Sequence, residues 1–335
     1  MAAVTEESPG APLRGFRRIP LEIREVATVL AIAIVLASSF AAAYTVALGR
    51  PSPRNLPVGV IGLTADTAPF EKALRTNPNE FDVHEYATRE AAVAAINQQR
   101  ITAAIDATSK PPQLLLSSAS DPSGTRALIQ LDQTQPGQFI LPIVDLHPLP
   151  PSDPAGLATF YLVIAATILG FITMFQLRAN VKTLTLRRWL LSMAVLAVVG
   201  GAALAVVTGP VLGALSTPFP QLWLLISVQI AVAASFNSTM LVLIHRWAII
   251  PTWLVFILLG NTSSGGAVSA SLLPQPFAFF NHALPSGATV SAIHAATYFP
   301  HNQRPLPFIV LGLWLVVSLA ALIVASKMLR RSPAE

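Results

Sequence analysis

From Pro154 to Ala334 the chain contains not one Asp or Glu. Within that acid-free half lie five uncharged apolar runs, Ala155–Leu177, Trp189–Leu215, Leu222–Ile244, Ala248–Ala270 and Pro307–Ser326. Each is close to the roughly 20 residues that cross a hydrocarbon core. Lipid offers no water to a backbone amide, so runs of this kind must close their hydrogen bonds internally, as helices. A sixth run, Val26–Leu48, precedes them. Its apolar core is too long for a signal peptide and no clean small-residue cleavage site follows, so it is expected to stay as a first transmembrane helix. Only 11% of residues are charged and 53% are hydrophobic, where a soluble domain carries about 25% charged residues. A soluble protein is excluded. With no cysteine, disulfides, thiolate catalysis and cysteine metal sites are excluded too.

Residues 50–154 differ in kind, because they hold most of the 16 acidic residues. LPVGVIGL (56–63) and FDVHEYA (81–87) have strand character, and Asp66–Thr76 has a helical face of Phe70, Ala73 and Leu74. Thr88–Arg100 predicts a helix capped by Thr88. ITAAIDA and QLLLSSA, joined through SKPP, predict a hairpin. Asp121 then caps a third helix with Pro122 in its first turn. The order β-α-β-α-β-β-α describes a small domain of about 100 residues, enough to bury one core. The expected architecture is therefore a polytopic α-helical membrane protein of six transmembrane helices, arranged one plus five. A small extracytoplasmic α/β domain would lie between the first and second helices.

The formal charge of +5 reports orientation rather than nucleic-acid binding. Arg14, Arg17, Arg18, Arg24, Arg178, Lys182, Arg187, Arg188, Arg246, Lys327, Arg330 and Arg331 all fall on one side if the N-terminus is inside. Of the short loops, only the one holding Arg304 departs from this rule, and charges in a large outer domain count little. Both termini are thus expected in the cytoplasm of a plasma-membrane protein. The expected division is a tail with a basic segment at 1–24, a first span at 25–49, the α/β domain at 50–154, a five-helix domain at 155–328 and a tail at 329–335. The segment LRGFRRIPLEIR (13–24) reads equally as an interfacial helix on membrane lipid or as a positive-inside flank.

One tract in the five-helix domain refuses a simple helical reading. Leu259–Phe299 is apolar and has no charged side chain, yet Ser263, Ser264, Gly265 and Gly266 weaken a helix and Pro274 and Pro276 stop one. Backbone of that kind fits a segment buried in protein part-way into the bilayer, here bounded at 262–305, or a packed outer lid. Ser264, Gly265, Gly266, Leu272, Leu273, Pro274, Leu284, Pro285 and Tyr298, in that order, resemble the last extracellular re-entrant hairpin of ABC type-2 exporter permeases. The likeness is nearest to the phage-infection-protein (YhgE/Pip) branch and to related nitrosoguanidine-resistance membrane proteins. That resemblance implies a re-entrant gate made by Ser264, Gly265, Gly266, Leu273, Pro274, Leu284 and Pro285. It also implies a homodimer or paired permease and a separate ABC ATPase that meets the loop holding Arg178, Lys182, Arg187 and Arg188. The loop departs from the family in being purely basic, so the same residues read equally as an anchor to anionic lipid.

Other chemistry is sparse. No phosphate-binding loop G-x-x-x-x-G-K-[ST] occurs, so the chain carries no ATPase motif of its own. No catalytic constellation, metal site or cofactor motif stands out. Asp82, His84 and Glu85 are close in sequence, but strand alternation parts His84 from Glu85. His282 and His294 are the titratable groups of the tract. Asn237, Ser238 and Thr239 either bond between helices or face a wet cavity. The leading expectation is an exporter permease for a hydrophobic or amphipathic compound (a lipid, drug or envelope precursor). The alternative is a non-transporting envelope receptor or scaffold. An ion-driven pump is disfavoured, because such pumps usually need carboxylates within the membrane.

Overall fold

A computed structural model describes residues 20–49, 51–76, 79–134, 141–181 and 183–331. Arg14, Arg17, Arg18, Lys182 and residues 332–335 lie outside the described residues. The chain divides after Ala42 into two compact units. Helix α1, Leu21–Leu48, begins in the first unit. It carries Glu22, Arg24 and Glu25 near its start and is uncharged from Val26 onward. The remainder describes the second unit.

The α/β domain is built on five strands, β1 (Leu56–Ile61), β2 (Phe81–Tyr86), β3 (Ala103–Asp106), β4 (Gln113–Leu116) and β5 (Ile143–Asp145), in the spatial order β2-β1-β3-β4-β5. β1 runs parallel to β2 and β3, the expected β3–β4 hairpin is antiparallel, and β4 and β5 are parallel. Alternation along the strands sends Val58, Val60, Ile105, Leu114 and Leu116 to one face, where α2 (Thr64–Leu74) and α4 (Pro122–Thr134) cover them with Phe70, Leu74 and Leu128. The other face packs Ala104 and Leu115 against Ala92, Ala95 and Ile96 of α3 (Arg89–Asn97). Thr88 caps α3 as expected, its Oγ1 accepting from the Ala91 amide at 3.2 Å. Strand β5 has no counterpart in the sequence reading. Three residues are too few to show alternation, and the strand is defined by its partner. The Leu114 amide donates to Pro142 O at 2.9 Å and the Leu146 amide to Leu116 O at 2.8 Å.

The helical part is centred on α7 (Phe219–Ile244), against which α5 (Ala158–Asn180), α6 (Leu186–Val206), α10 (Pro285–Tyr298) and α11 (Leu306–Arg331) all pack. Small residues permit the close approach. A Cβ on Gly170 of α5 would stand 2.6 Å from Ile230 O, and one on Gly201 of α6 would stand 2.2 Å from Ser227 Oγ. α5 starts where Asp153 takes the Leu157 and Ala158 amides on its two carboxylate oxygens, each at 2.9 Å. The domain thus ends on the residue that caps the bundle.

Two apolar runs end earlier than the sequence predicts. The run expected to reach Leu215 passes into a π-helical turn at Val207–Val211 and stops there, since Pro210 lies in that turn and Gly213, at φ +60°, redirects the chain. The run expected to reach Ala270 is helical only to Asn261, first as α8 (Ile249–Thr252) and then as a π-helix, Trp253–Asn261. Long apolar helix continues from Phe219 to Asn261 by composition, but His245, at φ +53°, reverses the chain inside it. Thr252 Oγ1 therefore comes back to Asn237 Oδ1 at 3.0 Å, and Phe256 packs on Val232 and Ala233. Counted by length and apolarity, the described residues hold five long helices able to cross a membrane. The protein is a polytopic α-helical membrane protein with a small β-sheet region.

Candidate functional site

Past Asn261 the chain stays buried without forming a long helix. Gly265 sits at φ +78°, and a Cβ there would meet Asn281 Nδ2 at 2.8 Å. The position therefore demands glycine on both grounds. Gly266 lies against Phe160, whose Cβ would be 2.9 Å from its own. Ser264 makes the turn, donating from Oγ to Asn261 O at 2.9 Å while accepting from the Gly266 amide at 3.3 Å. A 3-10 turn at Ala270–Leu272 leads to the extended Leu273, which is buried with Val268, Leu272 and Phe277. Pro274 then accepts the Ala278 amide at 3.3 Å, at the start of α9 (Phe277–Ala283). Leu284 is extended and buried, and Pro285 opens α10 at a position that needs no amide donor.

The two helices form a hairpin. At 1.5 Å per residue α9 is about 10 Å long and α10 about 21 Å, both short of the roughly 30 Å hydrocarbon core. The tip is fixed by Trp314, whose Nε1 donates to Ala283 O at 2.8 Å, and by Thr289, whose Oγ1 donates to Gln229 Oε1 at 2.8 Å. Gln229 stands about 15 Å along α7 from its first residue. The arms return to the domain end. There Thr297 bonds to Thr217 at 2.5 Å, and the Phe299 ring lies 4.9 Å from that of His147. Asn281 clasps the two halves, its Nδ2 donating to Ser263 O at 2.8 Å and its own carbonyl 2.0 Å from where a Cβ on Gly287 would be. Of the expected gate residues, Gly265 thus comes to the Asn281 side chain, Gly266 lies instead against Phe160, and Leu273 and Pro274 precede α9. Asn281 escaped the sequence reading; its signal is a lone amide inside the apolar FAFFNHA. Near the tip, the Ser263 and Ser286 hydroxyls are buried without a hydrogen-bond partner among the described residues.

The α/β domain is fastened to this tract through α4. Asp121 caps α4, its Oδ1 accepting the Gly124 amide at 2.6 Å. The same carboxylate accepts the Ser269 hydroxyl, and its Oδ2 accepts that of Ser271 at 3.2 Å. Ser123 Oγ takes the Ser269 amide at 2.8 Å, and the Arg54 amide donates to Ser271 O at 2.8 Å. Burial pushes the Asp121 carboxyl above its ordinary value, while the hydrogen bonds from Ser269, Gly124, Ser271 and Ser123 pull the other way. Farther round, Arg304 donates to Gln98 O at 3.2 Å and Gln99 O at 2.6 Å.

The remaining sequence candidates are dispersed. His282 is exposed, and the His294 ring lies 6.0 Å from that of Tyr298. Asp82 and His84 meet at 3.1 Å on the exposed surface. Among the described residues no three His, Cys, Asp or Glu side chains form a metal-binding group. Asn237, Ser238 and Thr239 bond between helices. Asn237 Nδ2 donates to Phe171 O at 3.0 Å, Trp189 Nε1 donates to Ser238 Oγ at 2.9 Å, and Thr239 Oγ1 reaches Ser318 O at 3.4 Å. Arg178 ends α5 while Arg187 and Arg188 begin α6, at the end of the bundle away from the domain. Comparison of the chain with family models, with characterised proteins and with solved structures finds no match.

Proposed function

We propose that this protein is the membrane permease subunit of an ABC type-2 exporter. It moves a hydrophobic or amphipathic compound (a lipid, drug or envelope precursor) outward, driven by a separate ATPase. The observation that carries the reading is the α9–α10 hairpin, whose tip reaches mid-bundle while both arms lead back to the α/β domain. In this reading the hairpin is re-entrant and acts as an outer gate. This reading takes the chain after the reversal at His245 as a crossing of its own, giving six, with both termini in the cytoplasm of the plasma membrane. Two such subunits, identical or paired, face each other across the pathway. The unpartnered hydroxyls of Ser263 and Ser286 support a mobile tip, since a buried unsatisfied polar group costs about 1–3 kcal/mol that a second arrangement can recover.

The bundle supplies no carboxylate for proton or sodium coupling, which favours drive by a separate ATPase over an ion gradient. The test is purification in mild detergent with associated proteins identified. An ATPase subunit is expected to co-purify; its repeated absence sinks the reading. Gly265→Ala is expected to stop export in cells while the protein still reaches the membrane.

The receptor or scaffold reading keeps one observation in its favour, the purely basic composition of the loop from Arg178 to Arg188. Deleting residues 55–145 separates the two. Export that survives the loss of the domain, with partner binding gone, assigns the domain to a scaffold role.

A further inference from the structure

The end of the bundle away from the α/β domain carries Arg178, Arg187, Arg188, Arg246 and Lys327. Among the described residues no carboxylate pairs with any of them. Arg246 has an alternative partner, its guanidinium lying 5.2 Å from the centre of the Trp247 ring. Arg178 instead borders an open cavity of about 220 Å³ lined by the ends of α5, α7 and α11 and the start of α6. The cavity has two characters. Exposed Arg178 and His245, with half-buried Ser326, form its polar side. Trp189, Leu241 and Leu322 form its floor and are 7%, 4% and 1% exposed. Trp189 adds no polarity there, because its only donor is already bonded to Ser238.

We propose that this cavity binds one anionic phospholipid, with its phosphate against the Arg178 guanidinium and part of an acyl chain on the Trp189–Leu241–Leu322 floor. Three considerations point to a lipid rather than a free anion. The first is charge: a guanidinium that no carboxylate pairs with among the described residues is complementary to phosphate, and basic pockets between helices at a membrane face bind acidic headgroups. The second is polarity, because a free phosphate would leave the apolar floor facing water. The third is size. A pocket that encloses a drug-sized ligand spans about 300–1,000 Å³. A smaller cavity suits one end of a molecule whose remainder lies outside it. A zwitterionic lipid carries its own cation beside the phosphate and gains less from Arg178. This inference stands apart from the exporter reading, since it needs only a membrane protein with this cavity.

The experiment is native mass spectrometry of the full chain released from nanodiscs holding equal amounts of phosphatidylglycerol and phosphatidylcholine. One phosphatidylglycerol per chain is expected to be retained in preference to phosphatidylcholine. Arg178→Gln is expected to weaken that retention about tenfold, the effect of losing one hydrogen bond to a charged group. Arg246→Gln, at the same end but committed to Trp247, should leave it unchanged. If Arg178→Gln does not assemble, phosphatidylglycerol with brominated chains reads the same site in the unaltered protein. The quenching difference between wild type and Trp189→Phe then reports the lipid on the floor. Equal retention of the two lipids, equal behaviour of the two arginine variants, absence of Trp189 quenching, or displacement by inorganic phosphate overturns the proposal.

Discussion

Asp121 and Ser271 are 150 residues apart in sequence and joined at 3.2 Å, on a carboxylate that also starts helix α4. One side chain therefore serves local structure and domain docking together. Asp121→Ala should remove an N-cap, at about 0.5–2 kcal/mol, and also strand the hydroxyls of Ser269 and Ser271. A total of about 2–4 kcal/mol is expected. Ser271→Ala alone should cost no more than about 1 kcal/mol, because the cap survives. Denaturation in mixed micelles measures both, and an Asp121→Ala cost no larger than that of a lost N-cap, with Ser271→Ala silent, would show that the seam contributes nothing beyond the cap.

Gly265→Ala should destabilise the tract by about 1–3 kcal/mol, because a side chain is strained at positive φ. Its Cβ would also meet Asn281 Nδ2 at 2.8 Å. Asn281→Ala in the same chain removes the collision but not the strain, so the double variant should cost less than the sum of the two singles. Gly312→Ala, with open space around its Cβ, is the neutral control in the same unfolding series. Strict additivity at positions 265 and 281 would refute the clasp.

Gln229 looks indispensable and should prove nearly silent for stability. It donates from Nε2 to Thr167 Oγ1 at 2.8 Å and accepts from Thr289 Oγ1 at 2.8 Å. Each threonine also has a carbonyl acceptor in its own helix, Val163 O at 2.7 Å and Pro285 O at 2.8 Å. Gln229→Leu therefore strands no hydroxyl proton, and its cost should stay near the ~0.6 kcal/mol typical of hydrogen bonds between membrane helices. A loss of several kcal/mol in the same assay would contradict this account.

Acid should loosen the contact between the domain and the end of α10. Burial holds His147 below its usual 6.5, with Asp145 acting in the opposite direction. The folded protein thus favours the neutral ring, which meets Ser117 Oγ at 3.3 Å as well as Phe299. For a depressed histidine this contribution is complete above pH 6.5 and is lost as pH falls through the folded value. Proteolysis between His147 and the start of α5 should accelerate from pH 7.5 to 5.5, and His147→Asn should flatten that response.

Sequence patterns exposed those parts of the fold that follow from local chemistry. Uncharged length announced the long helices, two apolar segments joined through SKPP the β3–β4 hairpin, and Thr88 and Asp121 their caps. Strand β5 was hidden, and the reversal between the runs Leu222–Ile244 and Ala248–Ala270 was legible while its geometry at His245 was not. The first depends on a partner strand rather than on its own three residues. The second is a non-glycine residue at positive φ, a geometry that composition does not signal. Within the candidate site, Gly265 and Pro274 declared that the chain breaks. Ser269 and Ser271 act only through partners distant in sequence, so nothing local distinguished them, and Asn281 had only its lone amide among apolar neighbours as a sign.

The π-helix at Trp253–Asn261 also places the hairpin. Its wider turns hold more residues per revolution than an α-helix does. Its nine residues thus turn through a smaller angle than nine α-helical residues would. The azimuth at which Gly265 faces Asn281 is therefore set by arithmetic, by how many peptide units separate Thr252 from the first serine.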